Sequence, residues 1–334
     1  MSPEQPRIPA SERGAALLVV LLIVSVIAVL AATALERLRL TTRLGGNAIA
    51  LDQARAYAMG AEALTMQRVE QLLTRDGARV TLDGGWSGRP FSFTVPGGVI
   101  AATLTDGGNC FNLNSLVTRP SDDSDLLATR PEAVVQFARL MRLLGVPAQQ
   151  SGSIAAATAD WIDSDNDQQA QGAEDGSYAR GDVRYATGGT LMSDPSELRA
   201  VVGVTPQIYA KLSPWICALP EAKPSRINVN TLTPEQAPLV AMLLPDTLDI
   251  AGAHAVLLER PPQGFASVNA FWNVPSKRGI TADGTAQQQA SVTSGWFNLQ
   301  VDVVVGDTRL TERSLIDARR SPVQIVSRAW GDPA

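Results

Sequence analysis

The sequence predicts an α+β protein in which a long N-terminal helix packs on an antiparallel sheet and a large all-α domain is inserted into that sheet. First, an uncharged run near the N-terminus is followed by apolar residues at helical spacing. Second, strand-like alternation occurs in residues 79–112 and again in residues 290–330. Third, the intervening residues 113–289 carry repeated helix-start signals. Either strand set alone would form a small sheet with little to cover it, so we expect the two sets to pair.

The N-terminus consists of a polar leader, residues 1–14, and an uncharged run, residues 15–35. As a helix the run would be about 31 Å long, enough to cross the apolar core of a bilayer. A hydrophobic helix that begins directly after a glycine resembles the leader of type IV pilins and type II secretion pseudopilins. The resemblance implies cleavage between Gly14 and Ala15 by a prepilin peptidase, followed by N-methylation of Ala15.

Two other interpretations of the N-terminus stay open. The run can be an ordinary uncleaved anchor, or a secretory signal that is cut after the small residues 31–34. The run is long for a secretory signal, and a glycine boundary is unusual for a plain anchor. The pilin-like leader is therefore the favoured interpretation.

Residues 36–78 are expected to continue the membrane helix into the soluble part of the protein. Gly45 and Gly46 are expected to weaken or bend the helix locally. Beyond them an apolar stripe rich in small residues recurs at helical spacing and suits close packing against a sheet or another helix. The stripe consists of Leu51, Ala54, Ala58, Ala61 and Leu64.

The strand regions combine alternating apolar residues with turn signals. The turn Pro96-Gly97-Gly98 separates two predicted strands, and Gly306-Asp307 is typical of a hairpin turn. The predicted strands are residues 91–95, 99–105, 296–305, 308–316 and 323–329.

The predicted helical domain, residues 113–289, is recognised by its N-cap signals. Thr129 and Glu132 have the spacing of a capping box, with Pro131 in the first turn. The further start signals are Asp194 with Glu197, Thr205-Pro206 and Thr233-Pro234.

Two internal repeats indicate that this domain is composite. Residues 111–116 (FNLNSL) match residues 227–232 (INVNTL), and each has an Asn-x-Asn core. The segment that starts at Ser193 also resembles the segment that starts at Ser267, with apolar positions at similar spacing.

Composition limits the function. The chain has 334 residues, 45% hydrophobic and 5% aromatic, and a formal net charge of −5. The negative charge argues against nucleic acid as a partner, and the few aromatics argue against a base-stacking surface. The two cysteines, Cys110 and Cys217, exclude the usual thiolate zinc site. In an oxidising compartment we expect them to form a disulfide; the alternative is two buried thiols.

The strongest chemical signal is an acidic loop, residues 160–175 (DWIDSDNDQQAQGAED). Its carboxylates occupy positions 1, 3, 5 and 12 of a calcium-loop spacing, which lets one turning backbone aim several oxygens at one hard cation. The loop differs from an EF-hand because Gln168 replaces the glycine of position 6 and the residues after position 12 do not read as a helix. The residues at positions 1, 3, 5 and 12 are Asp163, Asp165, Asp167 and Glu174.

Further ligand candidates lie close to this loop. Asp175 belongs to the central set, Glu197 is a candidate distal ligand, and Asp160 is a weaker one. For Glu197 and Asp160 the alternative is a helix-capping role. A solvated acidic loop is the other interpretation, but its carboxylates would repel one another without a cation. A calcium ion here would be structural, because it would fold a long loop.

In this order, the glycine leader, the helix, the split sheet and the Asn-x-Asn repeats resemble the minor pseudopilin K family of the type II secretion system over nearly the whole chain. The resemblance implies a pseudopilin fold, calcium in the helical domain, and a single-pass inner-membrane protein whose C-terminal domain is periplasmic. It also implies a tip complex with minor pseudopilins I and J, contact with the inner-membrane platform, and a role in nucleating or capping the pseudopilus for export of folded proteins. Residues 51–64 are then the candidate surface for I and J.

Val19 fits a subunit at the tip. It occupies the fifth mature position, where most pilins carry a glutamate thought to pair with the N-terminal amine of the subunit above. A carboxylate inside the bilayer is costly unless it is paired, so a subunit with nothing above it needs none. K-type pseudopilins resemble this chain in lacking that glutamate.

Three other functions compete with this interpretation. Ser-His-Asp chemistry would rest on the single histidine, His254, and nothing else supports an enzyme. Residues 227–279 resemble the helix-hairpin-helix module of competence DNA receptors, but residues 244–249 replace its Gly-x-Gly turn. Basic and acidic residues are equally numerous from 226 to 279, so phosphate binding should be poor. The third alternative is an anchored periplasmic calcium-binding protein of another role.

Overall fold

The structure is a computed structural model in which the described residues form one long helix, one sheet and a helical domain. The first part of the expected leader, residues 1–9, lies outside the described residues. The structure describes residues 10–75, 79–121, 124–179, 184–244 and 247–331.

The N-terminal helix, α1, extends over Ala10–Thr74. It continues through Gly45 and Gly46, so the two glycines do not interrupt it. Every residue of the apolar run, 15–35, is exposed. Among the described residues α1 is the one helix that is long and apolar enough to cross a membrane. It therefore has the length and composition of a single N-terminal anchor.

The sheet is antiparallel and contains strands from both sides of the helical domain. Its second and third strands are neighbours, with Ile100 opposite Val303 and Leu104 opposite Leu299. This pairing confirms the predicted α+β class with a split sheet. In sheet order the strands are β1 (Phe91–Val95), β2 (Gly98–Asp106), β3 (Trp296–Val305), β4 (Thr308–Asp317) and β5 (Gln324–Trp330).

Helix α1 packs across one face of this sheet. Ala54, Ala58 and Ala61 are at most 1% exposed and share a core with apolar residues of β2 and β3. Small side chains let the helix backbone approach the sheet closely. The expectation that this stripe faces partner subunits is therefore wrong, because the chain's own sheet covers it. Leu64, which the sequence assigned to the same stripe, points away from the sheet and is 57% exposed.

The helical domain has its own continuous core, which includes Phe137, Ile154, Leu198 and Phe271. Its short helices are joined by 3₁₀ turns and by two-residue strand pairs. The 3₁₀ helices are Leu113–Leu116, Pro195–Ala200 and Pro234–Gln236, and another, Asp83–Gly85, precedes β1. The strand pairs are Phe111–Asn112 with Ile216–Cys217, Val117–Thr118 with Ala128–Thr129, and Ile227–Asn228 with Ala290–Ser291. The helices are α2 (Pro131–Leu143), α3 (Ala148–Ile162), α4 (Asp175–Tyr178), α5 (Pro206–Leu212), α6 (Ala237–Ala241), α7 (Ile250–Leu258), α8 (Val268–Ser276) and α9 (Gly284–Gln289).

The predicted helix starts have different outcomes. Asp194 and Glu197 form a capping box, and Thr205 caps α5, as the sequence predicts. Thr233 also forms a capping box, with Gln236. The box predicted at Thr129 and Glu132 is wrong, because Thr129 lies in a short strand and the N-cap of α2 is Arg130.

The Asn-x-Asn repeats play the same structural role twice. The side chain of Asn114 accepts a hydrogen bond from the backbone nitrogen of Met192 and donates to its carbonyl. Asn230 makes the same pair of bonds to Phe265. Two residues beyond each clamped residue lies a helix N-cap, Asp194 or Ser267. The structural match therefore aligns Asp194, and not Ser193, with Ser267.

Candidate functional site

The acidic loop connects two helices. Helix α3 ends at Ile162, directly before Asp163, and Glu174 is the N-cap residue of the one-turn helix α4. The expectation that no helix follows Glu174 is therefore wrong, although α4 is only one turn long. Positions 1 and 12 of the loop thus lie at two helix ends, which fixes their backbones relative to the helical domain.

Three carboxylates of the loop converge. Ligand oxygens of Asp163, Asp165 and Glu174 all lie within 4.8 Å of one another. Asp163 is 1% exposed and Glu174 is 7% exposed. Asp163 Oδ1 and both carboxylate oxygens of Glu174 are buried and accept no hydrogen bond. Burying carboxylate oxygens without hydrogen-bond donors costs free energy of folding. Among the described residues, no positively charged group offsets this cost for the cluster.

The electrostatics of the cluster agree with its geometry. Burial, together with the charges of Asp160 and Asp163, raises the pKa of Glu174 to about 7. Burial also raises the pKa of Asp163 to about 6, against the effect of a hydrogen bond from Thr129. These shifts mean that two adjacent anions are unfavourable here unless a cation balances them.

Neighbouring residues hold the loop in this shape. The hydroxyl of Thr129 donates to Asp163 Oδ2 at 2.7 Å, leaving Oδ1 free to face the cluster. The Asp160 carboxylate accepts from the backbone nitrogen of Gln169 at 3.2 Å. A side chain at position 172 would clash with Asp160, since a Cβ added to Gly172 would lie 2.0 Å from Asp160 Oδ2. Asp160 and Gly172 therefore shape the return of the loop.

The other candidate ligands lie outside this group of three. The backbone nitrogen of Asp167 donates to Asp165 Oδ1 at 2.9 Å, and the Asp167 side chain is exposed. Asp175 Oδ1 accepts from the backbone nitrogen and hydroxyl of Thr187, both at 2.8 Å. Glu197 Oε1 caps its own 3₁₀ helix through the backbone nitrogens of Ser193 and Asp194.

The arrangement suits a hard divalent cation. All the converging donors are carboxylate oxygens, which calcium prefers, and the buried oxygens lack other partners. Asp163, Asp165 and Glu174 are the residues that could hold the ion. Thr129 is the functional neighbour that sequence reasoning missed, because its role depends on a contact across 34 positions.

The other predicted site residues are also located. Cys110 and Cys217 form a disulfide with a Cα–Cα distance of 5.8 Å, which links the start of the helical domain to the strand Ile216–Cys217. Gly14 and Ala15 are exposed residues of α1.

The residues on which an enzyme or a DNA receptor would depend do not form a site among the described residues. His254 is exposed on α7. Among the described residues, the one His, Cys, Asp or Glu cluster suited to a metal ion is the group in the acidic loop. Pro245 and Asp246, in the segment that replaces the Gly-x-Gly turn, lie outside the described residues.

Known proteins resemble this chain over most of its length. Models of the type II secretion system protein K family match residues 109–221 and 227–293. Type II secretion system protein K of Pectobacterium carotovorum subsp. carotovorum is 36% identical over 96% of this chain and 97% of the relative. The Klebsiella pneumoniae protein of the same name is 34% identical over 96% of this chain and 97% of the relative.

A solved structure is similar as well. It is a chain of the GspK-GspI-GspJ complex from the enterotoxigenic Escherichia coli type 2 secretion system. That chain is 32% identical to this one, with a TM-score of 0.72 over 84% of this chain and 97% of its own length. The sequence matches and the shared fold together show that this chain belongs to the type II secretion system protein K family, the K-type minor pseudopilins.

Proposed function

We propose that this protein is the tip subunit of the type II secretion pseudopilus, where it nucleates or caps assembly together with minor pseudopilins I and J. The observation that carries the proposal is the similarity in sequence and fold to a protein solved in a complex with GspI and GspJ. The bulk of the inserted domain supports the same position, because a tightly packed filament shaft leaves little room for it. The role is structural and not enzymatic.

The surface for I and J is the face of α1 that is turned away from the sheet. Ala56, Gly60 and Leu64 are exposed there at intervals of one helical turn, and Ala63 is exposed next to Leu64. Helices pack closely where small residues alternate with larger apolar ones, and Ile49, 72% exposed, extends the same face. This face replaces the buried alanine stripe as the candidate partner surface.

Calcium in the acidic loop stabilises the helical domain. Asp163, Asp165 and Glu174 hold the ion, and Asp167 and Asp175 complete its surroundings if the loop closes on it. The support is the set of buried carboxylate oxygens without a hydrogen-bond donor. Calcium supplies the positive charge that this set lacks, and its contribution is to the fold of the loop.

The N-terminal helix anchors the protein in the inner membrane, with the sheet and the helical domain in the periplasm. A prepilin peptidase cuts between Gly14 and Ala15 and methylates Ala15, and the helix then engages the secretion platform. The N-terminal peptide mass of protein purified from membranes tests this step. A chain that starts at methylated Ala15 is expected, whereas an uncut chain, or one cut near Ala34, would exclude it.

Partner binding is tested by a substitution on the exposed face of α1. A Cβ added to Gly60 meets no atom within 4 Å, so Gly60→Trp fits the isolated chain but fills the proposed contact surface. When I and J are co-expressed, we expect the variant to retain both partners at least about tenfold less than the wild type does. A tenfold decrease corresponds to a loss of about 1.4 kcal/mol of binding free energy.

Gly284→Trp is the matched control, because Gly284 also has open space around it and lies on α9 in the helical domain. Wild-type protein that does not retain I and J would contradict the proposed function. Equal retention by wild type and Gly60→Trp would reject the assigned face of α1.

A further inference from the structure

A groove lies where the C-terminal part of α1 passes the 3₁₀ helix Asp83–Gly85 and strand β1. Its volume is about 710 Å³. Leu64, Arg68 and Arg75 contribute from α1, and Phe91 contributes from β1. The groove is therefore formed by the helix and by the first strand of the sheet, outside the acidic loop.

The groove is positively charged. Arg68 and Arg75 are exposed, and neither forms a salt bridge with another described residue. The guanidinium of Arg68 lies 5.4 Å from the centre of the Phe91 ring, which positions its charge at the wall of the groove. Asp83 is the one acidic residue among the described residues that line the groove, and it accepts a hydrogen bond from the backbone nitrogen of Gly84 at 2.9 Å.

The groove also has an apolar part and an open backbone edge. Leu64 is 57% exposed, and Leu72 and Phe91 are partly exposed beside it. Within the part of the chain that the structure describes, strand β1 pairs with β2 alone and forms one end of the sheet, so its other edge is not paired with a strand. An occupant with both acidic and apolar side chains matches these features.

Leu64 connects the groove to the proposed partner surface, since it belongs to both. Gly60 lies one helical turn before it on the same exposed face of α1. We propose that the groove binds an acidic segment of one of the two minor pseudopilin partners, with carboxylates at Arg68 and Arg75 and an apolar side chain at Leu64. This inference rests on the proposed function and assigns the charged part of the interface.

Two other anionic partners fit less well. The uncharged run ends at Leu35, and Leu64 lies about 43 Å further along α1 at 1.5 Å per residue. If the run is the membrane span, the groove lies beyond the reach of lipid headgroups. Nucleic acid would meet a chain with a formal net charge of −5 and a groove whose described lining residues include two arginines, Arg68 and Arg75. A protein segment is the occupant that the charge and position favour.

Site-specific crosslinking tests the occupant. A photo-reactive side chain is placed at Gln71, an exposed residue of the groove, in the full chain co-expressed with I and J in membranes. We expect an adduct with I or J whose crosslinked peptide contains aspartate or glutamate next to apolar residues. A photo-reactive side chain at Asp307, in the exposed β3–β4 turn, is the control and should give no such adduct.

Charge reversal tests the energetics. Arg68→Glu with Arg75→Glu should lower retention of I and J at least about tenfold, because like charges then face each other across the contact. Arg142→Glu with Arg309→Glu makes the same change of charge at exposed positions outside the groove and should leave retention unchanged.

The outcomes separate the two proposals. If the wild type does not retain I and J, the proposed function fails. If it does, but Gln71 gives no adduct and the Arg68/Arg75 variant retains both partners as the wild type does, the groove proposal fails alone. A crosslinked segment without acidic residues would also overturn it, and this readout does not depend on the folding of the charge-reversed variant.

Discussion

At the scale of single residues, the stability of the acidic loop depends on which carboxylate oxygens accept a hydrogen bond. Asp175 and Glu197 accept hydrogen bonds from backbone nitrogens, so the fold already compensates part of their charge. Asp163 and Glu174 are buried, and Asp163 Oδ1 and both carboxylate oxygens of Glu174 accept none. We therefore expect the part of the loop around Asp163 and Glu174 to be destabilised without a cation and to be stabilised when a cation binds there.

Glu174→Gln tests this account of the loop. Without calcium we expect the variant to melt above the wild type, because one of two adjacent buried charges is removed. With free calcium at about 100 times the dissociation constant, the wild type gains about 2.7 kcal/mol, and the variant should lose most of that gain. Thermal unfolding of the full chain in detergent, with a chelator and with calcium, measures both effects.

Asp307→Asn is the control, since it removes an exposed carboxylate from the β3–β4 turn. The calcium assignment would be contradicted if calcium raised the melting temperature of Glu174→Gln as much as that of the wild type.

At the scale of elements, the contact between α1 and the sheet contains a second buried acidic pair. Glu62 of α1 accepts from Arg328 of β5 at 2.7 and 2.8 Å. Glu312 of β4 is fully buried, accepts from the Ser314 hydroxyl at 2.6 Å and lies 3.4 Å from Arg328. One arginine thus serves two carboxylates, and burial together with Glu62 raises the pKa of Glu312 to about 7.

This contact predicts a pH dependence of stability. The pKa of Glu312 is higher in the folded chain than its ordinary value of 4.5, so the folded state binds more protons between pH 4.5 and about 7. Stability should fall as the pH rises through that window, by at most about 1.4 kcal/mol per pH unit from this group. Glu312→Gln cannot titrate and keeps a donor that can face Glu62, so its stability should depend less on pH.

The comparison is made by denaturant unfolding in saturating calcium, so that the acidic loop contributes equally to both proteins. Asp307→Asn should follow the wild-type curve. Parallel curves for wild type and Glu312→Gln would show that Glu312 does not hold a proton in this window.

The sequence predicts elements better than the contacts between them. Alternation and turn residues predict the five strands to within a residue or two, because both signals are local. Thr129 shows the limit: its spacing to Glu132 fits a cap, yet its hydroxyl binds Asp163, a contact that no local pattern encodes. Similarly, helical spacing finds the alanines of α1 but cannot tell whether they face the chain's own sheet or a partner.

In the candidate site, too, the sequence predicts local features better than contacts. The alternating carboxylates predict that Asp163, Asp165 and Glu174 converge, since one loop returns between two helix ends. Whether Asp167 joins them depends on the turn that its backbone nitrogen makes with Asp165, which the spacing alone does not encode.

At the scale of the whole molecule, three parts have separate tasks. Helix α1 has the length and composition of an anchor and carries an exposed apolar face, and the sheet covers the opposite face of that helix. The disulfide and the Asn-x-Asn clamps hold together the inserted helical domain. A subunit with an anchor at one end and a bulky insertion is suited to the end of a filament.

Localisation of the protein in assembled pseudopili tests this central claim most directly. An epitope inserted at Gly306-Asp307, an exposed turn between β3 and β4, would label the protein without touching α1 or the acidic loop. In electron micrographs of pseudopili made in cells that contain I, J and the platform, we expect label at one end of each filament. Label distributed along the shaft, or filaments that never carry it, would contradict the assignment as a tip subunit.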